Sequence, residues 1–230
     1  GAVVFGFGGL PWAVVLLTFF ITSSGLSRFF KKRKEKVEDS FAKGGRRDAW
    51  QVAANGGVAG LAVLLNMVYP QSVIPWMMFA SAFAAANADT WATELGVLNK
   101  TWPRRLTTWK TVPPGTSGGV SLAGTLAAAA GSLLIALAAV LLWPDAGTGT
   151  GDSLIFGVVI LVAGLGGSLV DSLLGATIQA IYWCPTCGKE TEKFPTHSCG
   201  DQTMMIRGGG GMKNDWVNFA CTLSAALLAL

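Results

Sequence analysis

Asn87, Asp89, Thr90, Thr93 and Glu94 put two carboxylates, an amide and two hydroxyls into eight residues of an otherwise apolar run, residues 82–96. A charge inside a membrane helix costs several kcal/mol, so such charges are rare and mostly functional. Positions 87, 90 and 94 share one helical face, while Asp89 and Thr93 share another. Polarity on two faces requires protein or water around this helix end, or local unwinding. A third carboxylate, Asp171, is the one charge in a later apolar run and shares a face with Ser168, Ser172 and Gln179. Three hard oxygen ligands suit Mg²⁺ rather than zinc. The expectation is a Mg²⁺ site at Asp89, Glu94 and Asp171 beside an anionic substrate. The plainer alternative is a set of structural carboxylates neutralised by a neighbouring loop.

Three further stretches could bind anions. Lys43-Gly-Gly-Arg46-Arg47 sets two glycines among cations, as either a topology signal or a flexible phosphate site. Pro114-Gly115-Thr116-Ser117-Gly118-Gly119-Val-Ser121 precedes an apolar run, with Lys110 just before it. Read as the first turn of a helix, its N–H groups and dipole suit a phosphate, with three hydroxyls adding donors. It is not a Walker A loop, because no Gly-Lys-Ser/Thr follows at the right spacing. Capping and tight packing are the alternative. Asn214 and Asp215 read as N-caps of the last helix that, with Lys213, could also reach a nucleotide. Asn55, beside Gly56 and Gly57, is a substrate contact or an interhelical hydrogen-bond donor.

Cys184-x2-Cys187-Gly followed by His197-x-Cys199 supplies four soft ligands and contains the chain's one histidine. A cytoplasmic location argues against a disulfide. The spacing predicts a structural zinc ribbon of the Cys3His type, closed to catalysis because no coordination position is left open. Cys221 falls outside it.

The elements that must position these groups are hydrophobic. Only 13% of the 230 residues are charged, 51% are hydrophobic and mean hydropathy is +0.50. Soluble domains carry about 25% charge, so an integral membrane protein is expected. Apolar segments fall at residues 3–22, 50–69, 75–97, 120–143, 154–183 and 216–230. All 17 Lys and Arg lie in alternate loops, nine at 28–47, four at 100–110 and four at 189–213. That is the positive-inside pattern for six spans, with both termini outside and the basic loops cytoplasmic. Asp89, Glu94 and Asp171 then sit near the cytoplasmic side. The first segment has neither a basic region before it nor a cleavage site after it, against a signal peptide. Gly1 lies inside an apolar run, as a trimmed natural N-terminus would leave it. The fold expected is an all-α polytopic membrane protein of about six transmembrane helices with a small cytoplasmic zinc-ribbon-like insertion. Its divisions are residues 1–183 (helices one to five with cytoplasmic loops), 184–213 (the insertion) and 214–230 (the last helix).

These blocks together resemble the integral membrane phytyl-phosphate kinase family and its bacterial, archaeal and animal relatives. The resemblance rests on Lys43–Arg47, Asn55-Gly-Gly, Asn87-Ala-Asp89-Thr90-Trp-Ala-Thr-Glu94, residues 114–121, Asp171-Ser-Leu-Leu-Gly-Ala-Thr-Ile-Gln179, the Cys/His set and Asn214-Asp215. It covers nearly the whole chain. It implies transfer of a nucleoside triphosphate's γ-phosphoryl group, CTP or UTP being favoured, to phytyl or another prenyl monophosphate. In plants that reaction serves phytol salvage and tocopherol synthesis. Implied partners are the nucleotide, the prenyl monophosphate and membrane lipids, with Mg²⁺ and structural Zn²⁺ and no nucleic acid; an oligomer is compatible. The location implied is the cell membrane of a prokaryote, or the envelope or thylakoid of a plant plastid. The same sites would serve a cytidylyltransferase making a CDP-lipid. A transporter of an anionic or prenylated solute is the rival from another class, although the polar groups gather at the boundary rather than the midplane.

Overall fold

The computed structural model describes residues 1–30, 48–98, 101–143 and 150–230. A short π-helical turn, Val4–Gly8, leads into α1 (Leu10–Phe29), with Pro11 in its first turn. Then follow α2 (Ala49–Val68), α3 (Ile74–Gly96), α4 (Leu122–Leu141), α5 (Thr150–Thr177) and α6 (Asn214–Leu228). Five short strands complete the described residues: β1 (Arg104–Arg105), β2 (Gly119–Val120), β3 (Ile181–Cys184), β4 (Lys189–Thr191) and β5 (Met204–Arg207). The chain is thus mostly, rather than entirely, helical. Among the described residues, four helices (α1, α2, α4 and α5) are long and apolar enough to cross a membrane. At 1.5 Å per residue, the fifteen residues of α6 reach only about 22 Å.

The bundle is built around α3, which contacts all five other helices. Its residues from Pro75 to Ala88 are buried except Met78. Trp76 and Phe79 pack on Trp12 of α1 with ring centroids 5.0 and 4.6 Å apart, and Phe83 meets Phe19 at 5.2 Å. Farther along, small residues take over. A Cβ on Gly167 of α5 would come within 2.7 Å of both Ala85 Cβ and Cys221 O. Small residues at such crossings let helix backbones approach closely. The polarity of α3 on two faces follows from this central position, since protein surrounds it on every side.

Three boundaries differ from those expected. The polar run Thr22-Ser-Ser-Gly25 does not end α1. Thr22 and Ser23 donate their hydroxyls back to Thr18 O and Phe19 O, at 2.8 and 2.6 Å, so the helix satisfies them itself. The apolar stretch read as one helix to residue 183 stops at Thr177. Ile181-Tyr-Trp, a β-branched residue followed by two aromatics, instead forms β3 at the centre of the antiparallel sheet β4-β3-β5. Residues 115–119 do not open α4: Gly119–Val120 pairs as β2 with β1, and Ser121 is the N-cap, accepting from Gly124 N at 3.1 Å.

Candidate functional site

Asp89 and Asp171 each sit within about two turns of the C-terminal end of their helix, on α3 and α5. Both line one cavity of about 1190 Å³, as does Glu94, one turn farther along α3. From α3 the cavity also takes Thr90, and from α5 Ser168 and Ser172. Asn55 of α2 and Asn214 and Asp215 of α6 close other walls. The segment 114–121 lies across it and contributes Gly115, Thr116, Ser117, Gly118, Gly119 and Ser121. Elements far apart in sequence thus turn polar groups towards one space.

The glycine segment is shaped for close approach. Gly115 and Gly118 have φ of 84° and 77°, conformations that L side chains rarely adopt. Gly118 also lies so close to the end of α5 that a Cβ would collide with the Ala176 backbone. Ser117 Oγ donates to Gln179 Oε1 at 2.6 Å. The Gln179 amide nitrogen in turn donates to Glu192 Oε1 at 2.8 Å and, more weakly, to Asn214 Oδ1 at 3.4 Å. Arg207 Nη1 donates to Ala176 O at 3.2 Å, and its Nη2 lies 3.4 Å from Ser117 O. Glu190 accepts from Arg105 Nη2 at 2.9 Å and lies 3.7 Å from Arg207. The segment, the end of α5, the β-hairpin and α6 are therefore tied at one point. Burial lowers the Arg207 pKa, as does nearby Arg105, and Glu190 opposes both.

Glu192 was not singled out from sequence, yet it lines the cavity and interacts electrostatically with Asp89 and Asp171. Nothing local marks it, because it is one acid in the polar run Lys-Glu-Thr-Glu-Lys. Lys193 and Lys213 line the cavity as well. Asp171 Oδ2 is buried with no hydrogen-bond partner among the described residues. Glu94 is fixed to α1, its Oε1 accepting from Ser27 Oγ at 2.7 Å.

Other expected residues lie elsewhere. Asn87 does not line the cavity. Fully buried, it donates to Gly131 O at 2.8 Å and accepts from Thr22 Oγ1 at 3.2 Å, locking α3 to α4 and α1. Lys110 is exposed and also outside the cavity, beyond the turn in which Arg105 N donates to its carbonyl. Asn214 is the first residue of α6 rather than its cap, a position held by Lys213 without a side-chain bond. Lys43, Arg46 and Arg47 lie outside the described residues.

The insertion carries a second cluster. The ligand atoms of Cys184, Cys187, His197 and Cys199 all lie within 4.8 Å of one another, an arrangement that could hold a metal ion. His197 Nδ1 lies 3.5 Å from Cys187 Sγ and 3.3 Å from Cys199 Sγ, and the sulfurs of Cys184 and Cys199 are 3.5 Å apart. Hydrogen bonding with Cys199, then burial, pushes the Cys187 thiol up to about 11. At Cys184 burial acts upwards too, but hydrogen bonds from Cys187, Cys199 and Thr186 outweigh it and the thiol moves down.

A family model for integral membrane protein DUF92 matches residues 1–226. The chain belongs to the DUF92 family of integral membrane proteins. Among DUF92-like relatives, Protein PGR of Arabidopsis thaliana is 33% identical over 96% of this chain and 81% of its own length. An uncharacterized membrane protein of Methanocaldococcus jannaschii is 34% identical over 78% of this chain and 70% of its own. Another, from Synechocystis, is 29% identical over 78% and 67%. No solved structure matches. Membership and the four apolar helices make this DUF92 chain an integral membrane protein.

Proposed function

We propose that this DUF92 protein is a membrane phosphotransferase that moves the γ-phosphoryl group of a nucleoside triphosphate onto phytyl or another prenyl monophosphate. The observation that carries the reading is the convergence of Asp89, Glu94 and Asp171 on one cavity that the glycine segment 114–121 also lines. The resemblance of the same blocks to phytyl-phosphate kinases supports it. In this reading all six helices are spans and the cavity opens to the cytoplasm, as the loop charges predict.

The donor set fits Mg²⁺: the oxygens are hard, they come from two helices, α3 and α5, and Asp171 Oδ2 has no hydrogen-bond partner among the described residues. Asp89, Glu94 and Asp171 would hold the ion, which when bound offsets the charge of the phosphates. The glycine segment lets phosphate oxygens approach backbone and hydroxyl donors at Thr116 and Ser121. Lys193 and Lys213 add positive charge at the wall, and Lys43, Arg46 and Arg47 are proposed to add more. Two polyanions must meet here, so positioning and charge neutralisation carry most of the catalysis. The acceptor phosphate is already ionised near neutral pH, so no general base is required.

For the Cys/His cluster we propose Zn²⁺. A tetrahedral zinc with bonds near 2.3 Å separates its sulfurs by about 3.8 Å, close to the 3.5 Å between Cys184 and Cys199. Four protein ligands leave no open position, so its role is structural.

The test uses purified protein with phytyl or geranylgeranyl monophosphate, Mg²⁺ and each of CTP, UTP, ATP and GTP, with lipid products read by mass. A lipid diphosphate that disappears in Asp89→Asn supports the kinase. A CDP-lipid would reassign the chain to cytidylyl transfer, and no product with any donor would overturn the reading.

A further inference from the structure

We propose that the cavity opens sideways into the bilayer through a window between α4 and α5, and that the hydrocarbon chain of the lipid monophosphate lies in this window. The inference deepens the phosphotransferase reading and rests on it for the identity of the lipid. Tight contacts close the window at both ends. At the middle of the helices, a Cβ on Gly164 of α5 would collide with Ser132 Oγ of α4, and that hydroxyl donates to Leu161 O at 2.9 Å. At the other end the glycine segment closes on α5, where a Cβ on Gly175 would come within 2.7 Å of Ser117 Oγ. Between these points the cavity reaches Thr125 and Ala128 of α4 and Leu165, Leu169 and Ser172 of α5. Leu165 is about 9 Å along α5 from Asp171.

The outer edge of the window lies on the exposed faces of the same two helices. Ile155, Val158, Val162, Leu169 and Leu173 fall on one face of α5, and each is at least 44% exposed. On a helix long and apolar enough to cross a membrane, such a face meets lipid. Leu169 belongs to this face and also lines the cavity. Going round α5 from there, the next residues are Leu165 and Ser172, then Ser168, then Asp171, and all of them line the cavity. On α4 the exposed Leu122, Leu126 and Leu133 mark the lipid face, and Thr125, then Ala128, then Gly124 lead round into the same space. Each helix thus grades from lipid-facing side chains to the interior of the site. A molecule filling this space needs an alkyl part between the helices and a polar end at the carboxylates and the glycine segment. A single-chain lipid phosphate has both, and it reaches the site without leaving the bilayer. A nucleotide has only the polar part.

The experiment replaces leucine throughout the full-length chain by photo-leucine, a diazirine analogue of nearly the same shape, so no position is overpacked. The protein is held in phosphatidylcholine nanodiscs containing geranylgeranyl monophosphate and irradiated, and adducts are assigned to residues by mass. Relative to phosphatidylcholine adducts, those of the monophosphate should be enriched severalfold at Leu165 and Leu169 over Leu133 and Leu137, which are exposed on α4 and do not line the cavity. Geranylgeraniol, which lacks the phosphate, should show much less enrichment. An even spread of the monophosphate over the four leucines overturns the window, whether or not the lipid diphosphate forms. Equal enrichment of geranylgeraniol overturns the lipid phosphate as the occupant. Enrichment of the monophosphate with no lipid diphosphate from any nucleotide upholds the window and overturns the phosphotransferase reading instead.

Discussion

Ser117 Oγ and Gln179 Oε1 are 2.6 Å apart, joining a glycine loop to the residue just past the end of α5. Gln179 is 2% exposed, so it depends on protein partners for its polar atoms. It accepts from the loop and donates to Glu192 and Asn214, linking three chain segments that meet nowhere in sequence.

Ser117→Ala removes that donor and leaves a buried acceptor without this partner. An unsatisfied buried group costs about 1 to 3 kcal/mol. Thermal unfolding in detergent should show a loss of this order. If the loop holds phosphate, KM for the nucleotide should also rise more than kcat falls.

Gly118→Ala should be worse. A φ of 77° disfavours any L side chain, and the new Cβ would collide with the backbone of Ala176. Strain of the left-handed conformation and overpacking each cost roughly 1 to 3 kcal/mol. A melting temperature within a few degrees of the parent's would show that the loop can move away from α5.

How much of this was legible in the sequence depended on contrast. Asp89, Glu94 and Asp171 stood out because they are carboxylates in apolar runs, and the four metal-type ligands because their spacing is local. Glu192 had no such contrast, since its placement depends on how the hairpin docks on the bundle. Asn87 looked as much a site residue as Thr90. Only the fold shows that Asn87 abuts the carbonyl of Gly131, while Thr90 and Glu94, farther along the same face of α3, meet the cavity. Ile181-Tyr-Trp followed α5 without a break in hydrophobicity, and a short apolar run has no period that separates strand from buried helix. The helices, whose apolar runs are long, were legible to within a few residues at most of their ends.

Metal uptake by the Cys/His cluster should depend on pH, and the raised thiol of Cys187 carries that dependence to higher pH. At about 11 it is protonated at neutral pH when the cluster holds no metal. A metal ligand must be the thiolate, so binding displaces that proton. Affinity should therefore rise with pH, roughly tenfold per unit for each proton released. Zinc removal by a chelator should be markedly easier at pH 6 than at pH 8, followed with a colorimetric zinc dye. Equal release at the two values would place a deprotonated thiol at Cys187 before metal arrives.

Asp171→Asn should separate stability from activity. In chelator, without divalent cations, burial and the nearby Asp89 and Glu192 make an ionised Asp171 unfavourable, and its buried Oδ2 has no hydrogen-bond partner among the described residues. An amide there never has to carry charge, so the cation-free protein should melt at the same temperature or higher. Lipid diphosphate formation should fall by roughly 100-fold or more, since even outer-shell partners of a metal ligand contribute 10- to 100-fold. Mg²⁺ should raise the melting temperature of the parent and have little effect on the variant, because a ligand stabilises only the state that binds it. A variant that melts lower in chelator and responds to Mg²⁺ like the parent would make Asp171 a structural residue.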